Sequence, residues 1–159
     1  MTGGPHPNVA RVVEAAHDAG LEIVPVRQPT GAKTAADAAT AIGVDVGQIV
    51  KSLIFEVDGE VVLAFVSGAN RLDEDRLAAA AGGQRCGRLD GDTVRAVTGF
   101  PIGGVPPFGH RRRLQAFVDP DLLVHDEVWA AAGTWHDVFP IAPADLVRVS
   151  GATVTDLKR

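Results

Sequence analysis

A single cysteine, Cys86, stands among 159 residues, so no intrachain disulfide can form. One thiol in a chain of this size fits a reducing compartment, and a cytoplasmic location is expected. Long apolar runs are missing as well. The longest, Val61 to Val66, falls far short of the roughly 20 residues that cross a bilayer, so no membrane partner is expected. The N-terminal Met1-Thr2-Gly3-Gly4-Pro5-His6-Pro7 has neither the basic nor the apolar region of a secretory leader. Basic excess is absent too: 15 Lys and Arg face 20 Asp and Glu, for a formal charge of -5. That balance argues against a general nucleic-acid coat protein and leaves room only for a local contact.

Several catalytic patterns are lacking. The three serines, Ser52, Ser67 and Ser150, form no GxSxG elbow. The five histidines, His6, His17, His110, His125 and His136, show no HExxH or other close ligand spacing, so no metal site is expected; no cofactor is expected either. The glycines match neither GxxxxGK(S/T) nor a strand-borne GxGxxG, which weakens nucleotide hydrolysis and dinucleotide binding. Cys86 lies in Arg85-Cys86-Gly87-Arg88, where the cations could lower its pKa, but a structural cysteine is the simpler reading.

What the chain does have is a loop of unusual composition. Thr98-Gly99-Phe100-Pro101-Ile102-Gly103-Gly104-Val105-Pro106-Pro107-Phe108-Gly109-His110 holds four glycines and three prolines. Proline fixes φ and removes donors, whereas glycine opens positive φ and close approach. Such a run can be neither helix interior nor central strand. It reads as a rigid loop able to bring main-chain amides against a ligand. Arg111-Arg112-Arg113 follows it as the densest basic cluster.

The length suits one domain with a sizeable core, and the 46% hydrophobic and 22% charged composition is that of a globular protein. Val9, Val12, Val13 and Ala16 recur at helical spacing, with Asn8 as the expected cap and Gly20 as the stop. Leu21–Val26 reads as a short strand in which Pro25 marks an edge or a strand end. Thr34-Ala35-Ala36-Asp37 resembles a capping box that opens a helix ending near Gly43. Ile49–Val57 and Glu60–Val66 flank Asp58-Gly59, the expected hairpin. Helices are expected after Asp73, after Asp90 or Asp92, and from Pro143. Strands are expected at Leu114–Val118, near Leu122–Val124 and at Val138–Ala142, with a small apolar segment at Val128–Ala132. No regular βαβ alternation appears. The fold class is therefore mixed α/β, an α+β domain around one curved sheet.

Alternation in the first hairpin strand puts Lys51 on the face of Ile49, Leu53 and Phe55. An ammonium there must snorkel outward, pair with an acid or await an anionic ligand. Ser67-Gly68-Ala69-Asn70 leaves the second strand with polar groups that could line a pocket. His136, in Gly133-Thr134-Trp135-His136-Asp137, sits in a turn that can border one.

Taken in order, Thr34–Ala39, Gln48–Phe55, Ser67–Asp73 and Thr98–Gly109 resemble the YbaK/EbsC family of aminoacyl-tRNA deacylases, related to the editing domain of bacterial prolyl-tRNA synthetases. The resemblance covers residues 8–157 of a single 1–159 domain. It implies a compact, partly barrel-like mixed sheet surrounded by helices. It also implies hydrolysis of the ester that joins a wrongly attached amino acid to the 3′ adenosine of tRNA, without metal or covalent nucleophile. Lys51 matches the family's functional lysine, while Gly103, Gly104 and Pro106 match its substrate-site loop. On this reading amides around Gly103 and Gly104 orient the carbonyl or the water, and Lys51 holds the terminal nucleotide. Thr34, Ser67, Asn70, Gly99 and His136 would line the substrate pocket, with His110 at its rim. Arg111, Arg112 and Arg113 would touch the acceptor stem or CCA end. The expected partners are aminoacyl-tRNA and an aminoacyl-tRNA synthetase. A non-catalytic tRNA-binding regulator of the same fold is the alternative, and a hydrolase for a small ester or a small-molecule binding protein, with the Arg cluster only surface, is a third reading.

Overall fold

The structure is a computed structural model that describes residues 6–28 and 34–159; the expectation placed on residues 1–5 lies outside them. Helix α1 (Pro7–Asp18) buries Val9, Val12 and Ala16, as its spacing requires. Its cap is His6 rather than Asn8: the His6 Nδ1 accepts the Asn8 N–H at 3.0 Å, and Pro7 occupies the first turn, where no donor is needed. Strand β1 is only Val26–Arg27. The expected Leu21–Val26 strand fails because Pro25 has no N–H for a ladder and Val24 points to solvent, 72% exposed. Helix α2 (Ala35–Ile42) starts where the Thr34 hydroxyl accepts the Asp37 N–H and ends at left-handed Gly43.

The hairpin forms as the alternation demands. β2 (Val50–Val57) and β3 (Glu60–Ser67) pair antiparallel from Val50–Ser67 to Val57–Glu60 around Asp58-Gly59. Then come α3 (Glu74–Ala80), β4 (Cys86–Arg88) and α4 (Gly91–Thr98), the two helices capped by Asp73 and Asp90. β5 (Gln115–Val118) follows the glycine–proline loop. The strand expected near Leu122–Val124 is instead a single 3-10 turn, Pro120–Leu122. The Asp119 carboxylate nucleates it by accepting the Asp121 N–H. β6 (Val128–Ala131), β7 (Asp137–Ile141), α5 (Pro143–Ser150) and β8 (Thr153–Val154) complete the chain.

The fold is a mixed α+β domain, but the strands form two sheets rather than one curved, partly barrel-like sheet. One sheet runs β4-β2-β3-β5-β8 and the other β1-β7-β6, and neither closes into a barrel. The main core lies between them: Val50, Leu63 and Phe65 from β2 and β3 share it with Phe139 and Ile141 of β7 and with Val12 of α1. A second core covers the other face of the larger sheet, where Leu77 and Ala78 of α3 meet Phe55, Val62 and Phe117.

The gap between the sheets decides where a ligand can enter. β4 pairs with Phe55, Glu56 and Val57 only, so it leaves the outer edge of Val50–Ile54 uncovered. β6 approaches that edge and joins it through one bridge, Ile49–Trp129. Beyond the bridge the two sheets splay.

Candidate active site

A cleft of about 960 Å³ occupies this splay, lined along β2 by Val50–Phe55 and along β6 by Trp129–Ala131. Lys51 and Thr34 line it, as does Gly103 from the glycine–proline loop. The sequence spacing alone could not have joined them, because 52 positions separate Lys51 from Gly103.

Lys51 neither snorkels freely nor pairs with a carboxylate. Its Nζ donates to the Asn70 main-chain carbonyl. Burial holds the ammonium below the ordinary lysine range, and the charge of Arg71 adds to this, while Asp119 opposes it. An ammonium has three donors, so a single carbonyl leaves two for a ligand. Asn70 is itself fixed: its Nδ2 donates to Asp119 at 2.7 Å and to Asp121 at 2.8 Å. Asp119 is fully buried and also accepts the main-chain N–H groups of Ser67, at 3.2 Å, and Asp121, at 2.9 Å. A buried carboxylate therefore sets Asn70, and Asn70 sets the lysine.

Pro101–Gly104 is a type II turn, with the Gly104 N–H donating to the Pro101 carbonyl at 2.9 Å and Gly103 at φ +84°. The Gly104 amide is thus committed to the turn. The Trp135 Nε1–H donates to the Ile102 carbonyl at 2.6 Å, which fixes the central peptide. A trans peptide then sends the Gly103 N–H the opposite way, and no backbone carbonyl among the described residues takes it up. Gly104 has a different reason to lack a side chain: a Cβ there would lie 2.9 Å from the Thr134 Cα and 3.0 Å from the Gly133 carbonyl. The Gly133–Asp137 turn that presses on the loop is itself tied to α1, because the Asn8 Nδ2 donates to the Gly133 carbonyl at 2.9 Å. Its Thr134 hydroxyl donates to Asp137, which pairs with Arg27 at 3.0 Å.

The other expected site residues are placed less directly. Ser67 is buried, with its hydroxyl donating to the Gly47 carbonyl at 2.8 Å. Gly99 ends α4, and its carbonyl accepts from Arg11 at 2.8 Å. Pro106 is buried; its carbonyl accepts from the His110 Nε2 at 2.6 Å, and burial lowers the His110 pKa against that bond. The His136 ring faces the Gln28 carbonyl at 3.3 Å and is not part of the cleft lining, although its neighbours Thr134 and Trp135 are. Arg112 and Arg113 line a separate cavity of about 340 Å³ with Phe108 and His110, and Arg111 lines neither. The cations that do share the cleft with Lys51 include Arg71 and Arg88. Arg71 lay within the Ser67–Asp73 motif and Trp135 within the Gly133–Asp137 turn, but the sequence gave no sign that Arg88 or Trp129 lines the cleft.

Neither Ser52 nor Cys86 is an activated nucleophile. Ser52 lines the cleft, yet its Oγ is buried with no hydrogen-bond partner, so no base activates it. Cys86 is pushed up to about 11 by burial, then by Glu74 and Asp75, so the flanking arginines do not make it a thiolate. No cluster of three metal-ligating side chains forms among the described residues. What remains is the Lys51 ammonium with Arg71, Arg88 and the Glu74 carboxylate, and, on the loop, a Gly103 amide that no backbone carbonyl takes up.

A family model described as an aminoacyl-tRNA editing domain matches residues 29–149. A solved structure described as a candidate trans-editing enzyme for prolyl tRNA synthetase superposes with a TM-score of 0.93 at 43% identity, covering 98% of this chain and 99% of that one. YwhH of Bacillus subtilis is 29% identical over 79% of this chain and 80% of its own length. The proline–tRNA ligase of Desulforamulus reducens is 38% identical over 89 residues, 56% of this chain but only 16% of the ligase.

Proposed function

The chain belongs to the aminoacyl-tRNA editing domain family, and on that premise we propose that it is a trans-acting hydrolase that removes a small amino acid from mischarged tRNA. The observation that carries this reading is the meeting of Lys51 and the Gly103 turn in one cleft. An aminoacyl ester is already activated, so a positioned water suffices. Water adds to the ester carbonyl, the oxyanion forms, and its collapse expels the ribose oxygen, which leaves as the hydroxyl while the amino acid leaves as the acid. Gly103 supplies the preorganised donor to the carbonyl oxygen, and Gly104 supplies the close packing that holds it there. Lys51 binds the phosphate or ribose of the terminal nucleotide. Arg111, Arg112 and Arg113, away from the cleft, meet the acceptor-stem backbone and make binding salt-sensitive. Likeness to a candidate trans-editing enzyme for prolyl tRNA synthetase and to a segment of proline–tRNA ligases makes tRNA for proline the first carrier to test.

The test is single-turnover deacylation of that tRNA charged with alanine, serine, threonine or cysteine. Wild type should hydrolyse at least one, and Lys51→Ala should lose that activity while keeping its circular dichroism and melting temperature. Binding of every charged tRNA without turnover would reject the hydrolase in favour of a binding regulator.

A further inference from the structure

Trp135 combines two properties that rarely go together. Its side chain is 59% exposed, yet it is held fast by the bond from its Nε1 to the Ile102 carbonyl. Ile102 is itself 49% exposed. Of the six exposed large apolar side chains among the described residues, these two are the ones that line the cleft. Since the indole N–H is already satisfied within the protein, what Trp135 can offer a ligand is its ring surface. A ring held in place loses little freedom on binding, so stacking on it is not offset by ordering.

The rest of the cleft narrows the ligand. Lys51, Arg71 and Arg88 line it and outnumber the Glu74 carboxylate there, and none of the three pairs with a carboxylate among the described residues. An aromatic platform beside unpaired cations suits a planar base carried on a phosphate, as in the recognition of unpaired nucleotides. We propose that Trp135 and Ile102 form the stacking platform for the adenine of the nucleoside that bears the aminoacyl ester. The role of this subsite in catalysis rests on the hydrolase reading; its capacity to bind a base does not. Because the same indole N–H fixes the Gly103 turn, the base and the amide are registered by one rigid unit.

Adenosine monophosphate is the probe, since it carries base and phosphate but no ester. Trp129 and Trp135 are the two tryptophans of the chain, so in Trp129→Phe the emission reports Trp135 alone. Saturable quenching by adenosine monophosphate, and none by ribose 5-phosphate, is expected. Kinetics give a second readout through aminoacyl-adenosine and the methyl ester of the same amino acid. Trp135→Leu should raise KM for aminoacyl-adenosine about tenfold to a hundredfold. KM for the methyl ester should move far less, while loss of the indole bond that fixes the Gly103 turn should lower kcat for both esters alike. Trp135→Phe keeps a ring but not the N–H, so it should recover most of the KM difference and leave kcat low, which separates stacking from the hold on the turn. Equal quenching by both phosphates, or equal KM shifts for both esters, would overturn the platform. Base-dependent quenching in a protein that hydrolyses no aminoacyl ester would overturn the hydrolase and leave the platform standing.

Discussion

Lys51 and Gly103 reach the same cleft by opposite constructions. The lysine side is built from side chains, with a buried Asp119 gripping Asn70, whose carbonyl receives the ammonium. The glycine side is built from missing side chains: Gly103 adopts a left-handed φ and Gly104 lies against the Gly133 and Thr134 main chain. One side depends on hydrogen bonds that a ligand can compete for. The other depends on steric room, which does not yield by degrees in a packed protein. The two should therefore respond differently to substitution.

Gly104→Ala breaks stability and rate together. A Cβ there meets main chain at 2.9 to 3.0 Å, and no rotamer can relieve a backbone contact. Overpacking of this kind costs about 1–3 kcal/mol. The displaced turn should also remove the Gly103 donor, with a loss of about 100- to 1000-fold in the single-turnover rate. Lys51→Ala should abolish activity with the melting temperature retained. If Gly104→Ala kept both stability and rate, the steric account of the glycine side would be wrong.

Asp119→Asn probes the other construction and should have an intermediate effect. The carboxylate accepts from Ser67 and Asn70 through one oxygen and from Asp121 through the other. An amide has one acceptor oxygen, so at least one buried N–H is left unpaired, at about 1–3 kcal/mol. Here the rate should fall with stability because Asn70 loosens its hold on Lys51. Denaturant melts alongside single-turnover rates would show this; a normal rate in a destabilised protein would mean that Asn70 does not position the lysine.

The same contrast explains what could be read from the sequence. Strand alternation singled out Lys51, and composition singled out the glycine–proline loop, because both are local patterns. The caps at Thr34, Asp73 and Asp90 were legible for the same reason. The second sheet was not, since nothing local in Val128–Ala132 says whether it continues the first sheet or starts another. Nor was the tether of Lys51, because Asp119 is 68 positions away and its neighbour Pro120 reads only as a strand end. Trp135 went unnoticed beside His136 because a turn residue shows its value only through what it touches. Arg111, Arg112 and Arg113 attracted notice as a run, whereas Arg71, Arg88 and Arg159, scattered along the chain, are the arginines that line the cleft.

The smallest effect is also the one that separates the two sides most cleanly, because only one of them titrates. Burial and the charge of Arg71 lower the Lys51 pKa, so its ammonium loses its proton at a lower pH than a free lysine. An anionic ligand favours the ammonium, so adenosine monophosphate affinity should weaken as pH rises through the Lys51 pKa of the free protein. Lys51→Arg should keep its charge and flatten that decline. Gly103→Ala and Gly104→Ala should shift the affinity without altering its pH dependence. Folding moves the other way. Between the folded and the unfolded pKa of Lys51 the unfolded chain binds more protons, so stability contributed by this group rises with pH. Opposite slopes for binding and for stability in wild type, both lost in Lys51→Arg, would assign the titration to this lysine. An alkaline decline in affinity that persists in Lys51→Arg would place the titrating group elsewhere and remove Lys51 from the anion site.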